Sequence, residues 1–290
     1  MNQKPTPRTV LITGATDGLG KAAALLLAKR GYRVFAAGRS AGKRAQLDAL
    51  AREKGIPLEA LAMDVCDDAS VCNAISTVRD RAGEIDVLIN NAGMAYIGTV
   101  EDMAMADYRQ QFETNFFGTI RVTQVVVPRM RERRSGHILM MSSVSGLVTP
   151  PAQGAYSASK HAIEGLSNAL RLEMYPFGVK VILIEPGYIV TNIQNIAEEL
   201  LQPYREKVES GPYAKIYSST FAGSQAGRAK SGTTAEDCAQ IMLQAIEARN
   251  PKARYGVTPL ATLVKWCKRL LPDSQVDAMI RRRYGITRDT

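Results

Sequence analysis

Two hydrophobic rhythms alternate along the chain. Short, nearly unbroken apolar runs at residues 9–12, 33–37, 58–63, 86–90, 137–141 and 180–185 predict buried strands. Between them, residues 19–30, 41–54, 70–82, 107–133 and 157–175 carry apolar positions three or four apart, which predicts helices. Such alternation implies parallel strands joined by right-handed crossovers, with helices on both faces: an α/β, doubly wound sheet. Ligands of these sheets bind beyond the carboxyl ends of the strands.

After Gly187 the rhythm loosens. Residues 191–234 read as a long irregular insertion, ending in the polar passage SSTFAGSQAGRAKSGTT, so residues 189–234 are expected to form a substrate lid. A helix at 235–248 and a strand at 253–257 close the sheet. The last segment, 259–290, places Leu260, Leu263, Val264, Cys267, Leu270 and Leu271 on one face of a helical tail. That tail is expected to dock on the lid or a sister subunit; the sharper alternative is peripheral contact with a membrane surface.

Composition narrows the function classes. With 290 residues, 46% of them apolar, and no linker or low-complexity tract, one domain spanning 1–290 is expected. Cys66, Cys72, Cys238 and Cys267 show no close pairing, and His137 and His161 are the only histidines, so neither a metal site nor a disulfide framework is expected. Without an apolar leader core or an uninterrupted membrane-length run, the expectation is a soluble, cytoplasmic protein. The net charge of +9 is scattered, densest at 129–134 and 281–283, without interleaved aromatics. It reads as a solvated surface suited to an acidic cofactor, substrate or membrane and not to nucleic acid.

The strand ends carry the chemistry. TGATDGLG follows the first strand, and Gly14, Gly18 and Gly20 permit a tight turn that presents helix amides to a pyrophosphate. Asp17 inside it opposes a phosphate. Gly38-Arg39 follows the second strand where an NAD site usually has an acid, and Arg39 is suited to a 2′-phosphate. Asp17 is expected to bind local amides or pair with Arg39. Asp64-Val65 follows the third strand and Asn90-Asn91-Ala92-Gly93 the fourth. The fifth runs into MSSVSGLVTPPAQGAYSASK. There Tyr156 and Lys160 share a helix face, an ammonium favours a phenolate by Coulomb attraction, and Ser143 can lie across from the phenol to hold a carbonyl oxygen.

Together these motifs resemble the short-chain dehydrogenase/reductase family: TGATDGLG, NNAG at 90–93, Asn115 in TNFFGT, Ser143 in SSVSG, YSASK at 156–160, and EPG at 185–187 followed by Thr191. The dense similarity runs over residues 8–192. It implies a Rossmann-type fold and NAD(P)-dependent interconversion of an alcohol and a carbonyl. Tyr156 would be the general acid or base, with Lys160 lowering its pKa and binding the nicotinamide ribose. Ser143 would polarise the substrate oxygen, and Asn115 would hold a water of a proton relay. The implied cofactor set is Gly14, Thr16, Asp17, Gly18, Leu19 and Gly20 at the first turn, Arg39, and Asp64 and Val65 at the adenine. Asn91, Ala92 and Gly93 lie along the ribose, with Tyr156 and Lys160, and Pro186, Gly187, Ile189 and Thr191 at the nicotinamide.

Arg39 favours NADP(H) over NAD(H). The stretch from YSASKHAIEGLSNAL to EPG and the tail look most like the steroid- and retinol-type dehydrogenases, implying a small lipophilic aldehyde or ketone substrate. Met94, Tyr96, Val148, Tyr188, Ile193, Ile196 and Leu200 are candidates for its pocket. The alternatives are a 3-oxoacyl-carrier-protein reductase and a noncatalytic NADP(H)-sensing protein. A homodimer or homotetramer paired through the two long helices is expected from the resemblance.

Overall fold

A computed structural model describes residues 7–189, 197 and 199–288. Seven parallel strands, β1 (Thr9–Ile12), β2 (Arg33–Gly38), β3 (Leu58–Ala62), β4 (Val87–Asn90), β5 (His137–Met141), β6 (Lys180–Glu185) and β7 (Arg254–Gly256), lie in the order β3-β2-β1-β4-β5-β6-β7. The order reverses between β1 and β4, which pair in parallel from Val10–Val87 to Ile12–Ile89. The loops after these two strands therefore flank the crevice at the switch point.

Alternate strand residues feed two cores. Val10, Ile12, Val34 and Ala36 face a cluster with α1 (Gly18–Lys29), α2 (Ala41–Lys54) and α9 (Ala235–Glu247). Leu11, Phe35, Ala37 and Leu88 face α3 (Asp68–Ala82), α5 (Gly118–Arg133) and α6 (Gly154–Met174). Because both faces are covered, the strands are continuous apolar runs, as their sequences require.

Two expectations need correction. The helix expected over 107–133 is continuous from Met105 to Arg133, but it widens into a π-helical turn (Glu113–Phe117) between α4 (Met105–Phe112) and α5. The 218–234 passage is not irregular: α7 (Arg205–Ser210) is followed by the 18-residue α8 (Ala214–Ser231). Its small residues are packing features. A Cβ at Gly227 would lie 2.5 Å from the Tyr188 ring, and one at Gly223 would lie 2.7 Å from Tyr284. Helical propensity penalises those glycines, but close ring contact compensates. The Tyr217 hydroxyl on α8 is fully buried, accepting from Thr99 N at 3.0 Å and donating to Asp102 Oδ2 at 3.0 Å. The tail forms α10 (Pro259–Leu270) and α11 (Asp273–Tyr284).

Candidate active site

The turn after β1 is interlocked with the turn after β4. Asn91 Nδ2 donates to the carbonyls of Thr13 (2.9 Å) and Gly14 (3.0 Å), and Thr13 Oγ1 accepts from the amides of Asn91 and Ala92. Gly14 adopts φ +62°, and a Cβ there would meet Ala92 Cα at 2.7 Å; one at Gly20 would meet Asn91 Nδ2 at 2.5 Å. Only glycine allows both the left-handed turn and this approach. Asp17 caps α1, accepting from Gly18 N at 2.8 Å, and pairs with Lys43 Nζ at 2.6 Å. Among the described residues, the first-turn amides of Leu19 and Gly20 have no acceptor. Two free donors at a helix N-terminus are the donor set a pyrophosphate needs.

At the end of β2, Arg39 reaches to 3.8 Å from Asp64 and is largely exposed. Asp17 thus binds a local amide, one of the two expected arrangements, and also pairs with Lys43, which sequence reasoning did not select. Its only signal was position: it lies four residues beyond Arg39 in the first turn of α2, in GRSAGKR. Thr16 packs against Gly38, where a Cβ would lie 2.7 Å from the Thr16 hydroxyl oxygen. Asp64 Oδ1 accepts from Cys66 N at 3.0 Å, and the Val65 carbonyl accepts from Arg121 at 2.6 Å, so both are held at the end of β3.

The reacting edge lies at the ends of β4, β5 and β6. Ser143 is the N-cap of a short 3₁₀ turn, its Oγ accepting from Ser145 N at 3.1 Å. Tyr156 lies in the first turn of α6, and Lys160 one turn on puts Nζ 5.7 Å from the Tyr156 ring centre. Lys160 is buried and donates to the Met141 carbonyl at 2.8 Å. Burial pushes its pKa down to about 8, opposed by Glu164. The expected lowering of the Tyr156 pKa by Lys160 does not dominate: burial raises it, and Ser143, donating to the phenolate, opposes the rise.

Asn115 occupies the π turn. Its Oδ1 accepts from Met94 N at 2.9 Å, and its Nδ2 donates to the Met94 carbonyl (3.0 Å) and Ser159 Oγ (3.1 Å). The side chain thus ties the loop after β4 to α6, while a widened turn of this kind frees backbone carbonyls. Gly93 passes close by, where a Cβ would lie 3.4 Å from Asn115 Oδ1. At the end of β6 the Pro186 carbonyl accepts from Val144 N at 2.9 Å, Gly187 packs against Thr258, and Ile189 is buried. Thr191 lies outside the described residues, as do Ile193 and Ile196.

Ser143 and Tyr156 open onto a cavity of about 1300 Å³ that extends under α8, α10 and α11. Tyr96, Val148 and Tyr188 line it as expected, and so do Leu260, Leu263, Val264 and Cys267 of the tail. Met94 and Leu200 do not; they pack against a small cluster of Tyr96, Met103 and Ala155, behind the Tyr96 wall. The basic group at 129–134 is engaged elsewhere, with Arg129 on Glu132 at 2.9 Å and Arg133 on Asp86 at 3.1 Å. No helix among the described residues is long and apolar enough to cross a membrane.

The model of the short chain dehydrogenase family matches residues 8–200. The chain belongs to that family. Human retinol dehydrogenase 8 is 42% identical over 192 residues, covering 65% of this chain but only 61% of that protein's length. A 3-ketodihydrosphingosine reductase of Bacteroides thetaiotaomicron is 33% identical over 284 residues, 97% of this chain and 99% of the relative. Among solved structures, a short-chain dehydrogenase from Streptomyces avermitilis has a TM-score of 0.78 at 27% identity, covering 99% of this chain and all of its own. One from Burkholderia phymatum in complex with NAD has a TM-score of 0.76 at 27% identity, covering 89% and 92%. An actinorhodin polyketide ketoreductase variant with NADPH has a TM-score of 0.73 at 28% identity, covering 87% and 95%. This short-chain dehydrogenase is accordingly an NAD(P)-dependent oxidoreductase on a doubly wound α/β fold.

Proposed function

We propose that the dehydrogenase is an NADP(H)-dependent reductase of lipophilic aldehydes or ketones. The observation that carries this reading is the large cavity, walled by Tyr96, Val148, Leu263 and Val264, into which Ser143 and Tyr156 open. Similarity to a ketosphingosine reductase and a retinol dehydrogenase over much of the chain supports a lipophilic substrate.

The nicotinamide cofactor would supply the hydride; the chain's residues supply orientation and the proton. Ser143 and Tyr156 donate to the substrate oxygen, and Tyr156 gives up its proton as charge develops there. Lys160, an ammonium below a pH of about 8, stabilises the phenolate left behind, and the π turn at Asn115 offers a water-binding route to Lys160. The open amides of Leu19 and Gly20 would hold the pyrophosphate, with Asp64 and Val65 at the adenine, Asn91 to Gly93 along the ribose and Pro186, Gly187, Ile189 and Thr191 at the nicotinamide. Lys43 offsets Asp17, which leaves the exposed Arg39 as the cation that favours a 2′-phosphate at the end of β2. Residues 189–234 act as a substrate lid in this reading.

The test measures oxidation of NADPH and NADH with medium- and long-chain aldehydes, steroid ketones, retinal and acetoacetyl thioesters. NADPH with lipophilic carbonyls is expected to give the higher kcat/KM; preference for NADH overturns the cofactor assignment. Tyr156→Phe is expected to lose on the order of 10²- to 10⁴-fold in kcat while retaining cofactor binding. Substantial turnover by that variant overturns the acid–base assignment.

A further inference from the structure

Arg228 lies on the inner face of α8 with Phe221, Ser224 and Gln225, at helical spacing, and all four line the cavity. It is half-buried, and no carboxylate pairs with it among the described residues. The other cations of the lining are differently placed. Arg205 is paired at 2.8 Å with Glu209, the one acidic residue lining the cavity among the described residues. Arg283 lies over the Tyr188 ring, 5.8 Å from its centre, and Lys230 is exposed. Among the described residues the rim thus holds four basic side chains against one acidic one, and the most buried of the four has no carboxylate partner while facing an apolar space. A guanidinium that has lost part of its hydration regains the deficit best from an anion, which it can grip through two parallel N–H donors. The cofactor does not answer this demand. The pyrophosphate cradle and the basic end of β2 belong to the turns after β1 and β2, and none of their residues lines the cavity.

We propose that this cavity takes amphiphilic carbonyl compounds whose apolar segment separates the reacting carbonyl from an anionic group, and that Arg228 holds that anion. The carbonyl sits at Ser143 and Tyr156, the chain crosses the apolar wall of α10 and α11, and the anion meets Arg228 with Ser224 and Gln225 as neutral donors beside it. The proposal rests on the reading of the protein as a reductase of lipophilic carbonyls and sharpens its substrate class.

The experiment uses the full chain with NADPH and compares ω-oxo carboxylates, ω-oxo alkyl phosphates and ω-oxo alkyl sulfates with n-alkanals over a matched series of chain lengths. At one length an ω-oxo anion is expected to exceed the alkanal in kcat/KM by about tenfold or more, through KM, as one charge-assisted contact would give. The best of the three anions identifies the headgroup. Arg228→Gln is expected to bring the anion-to-alkanal ratio down about tenfold and Arg228→Lys to restore part of it. As a binding readout without turnover, a saturated long-chain carboxylate is titrated against the fluorescence of Trp266, the only tryptophan, and should bind about tenfold more weakly to Arg228→Gln. A ratio near one in the parent protein, or one unmoved by Arg228→Gln, overturns this inference and leaves carbonyl reduction standing. Failure to reduce any aldehyde or ketone overturns the underlying reading instead.

Discussion

The turns at the ends of β1 to β5 and the helices beyond β6 hold their parts of the site by opposite means. At the strand ends, turns lock onto one another's backbone at short range: Gly14 against Ala92, the Asn91 side-chain amide on two carbonyls, and the Val144 amide on the Pro186 carbonyl, all within hydrogen-bond or van der Waals distance. Beyond β6, a few long side chains span between elements: Tyr217 to Thr99, Tyr188 to Tyr284 at 2.7 Å, and Tyr204 to Ala104 N at 3.0 Å. Meanwhile Leu263, Trp266 and Leu270 stay more than half exposed. Backbone interlocks leave almost no freedom in side-chain choice, which suits a cofactor whose shape does not vary. Side-chain spans can be exchanged one at a time, which suits the proposed role of the cavity in setting which carbonyl enters.

The two regions meet at Arg254 on β7, and breaking that seam is expected to produce the largest stability effect. Arg254 pairs with Glu164 of α6 and, at 2.5 Å, with Glu185 of β6; it also donates to Asn168 Oδ1 at 3.2 Å. Both carboxylates are buried, the Glu185 side chain being 2% exposed. Arg254→Met leaves them without a cation, and removing one member of such a group costs about 3–5 kcal/mol. Burial already raises the Glu164 pKa, with Arg254 among the groups lowering it. Without Arg254 it rises further, the folded variant binds protons more readily than the unfolded chain, and its deficit should shrink as pH falls. Denaturant unfolding near neutrality and at mildly acid pH measures both the loss and its sign.

A smaller effect is expected at the opposite end of the sheet, away from the chemistry. His137 begins β5, and Arg8 donates to its Nδ1 at 2.9 Å. Burial first, then the charges of Arg8 and Lys180, push its pKa from 6.5 down to about 4, against Asp86. The folded pKa is below the unfolded one, so the stabilising contribution of neutral His137 is intact above the unfolded value and is lost as pH falls toward the folded value. Between about pH 7 and 5 the parent should lose about 2 kcal/mol that His137→Gln does not. Parallel unfolding curves of the two proteins across that range isolate the contribution from the other titrating groups.

The same contrast explains what could be read from residues alone. All seven strands are legible, six of them because a run buried on both faces has one pattern, and the interlocking turns are legible because Gly, Asn, Tyr and Lys at strand ends have few competing uses. Asn115 was found as a residue but its π turn was not, since TNFFGT keeps helical apolar spacing through the widened turn. Lys43 carried no pattern of its own; its meaning comes from Asp17, twenty-six positions away. The glycines and serines of α8 suggested an irregular passage because their partners, Tyr188 and Tyr284, lie in other elements. Met94 and Leu200 are pocket candidates on apolar chemistry alone, and that chemistry does not distinguish a cavity wall from the packing behind one such as Tyr96.

The mildest change sharpens the comparison most, because it should touch one region and not the other. The hydroxyls of Tyr188 and Tyr284 meet at 2.7 Å beside Gly227 and Gly223, joining the residue that follows Gly187 to the last helix. Burial and the neighbouring Tyr188 raise the Tyr284 pKa, so the Tyr284 hydroxyl keeps its proton for this hydrogen bond. Tyr284→Phe keeps the ring against Gly223 and removes only that bond, worth about 0.5–1.5 kcal/mol. Because both tyrosines line the cavity proposed for substrate and, among the described residues, no hydrogen bond ties either side chain to the turns after β1 and β4, KM for a long-chain carbonyl should rise by up to about tenfold. Cofactor affinity, read by NADPH fluorescence, should stay put. A matching loss of cofactor affinity would mean that the last helix supports the nicotinamide end through Gly187 and that the two regions are one mechanical unit.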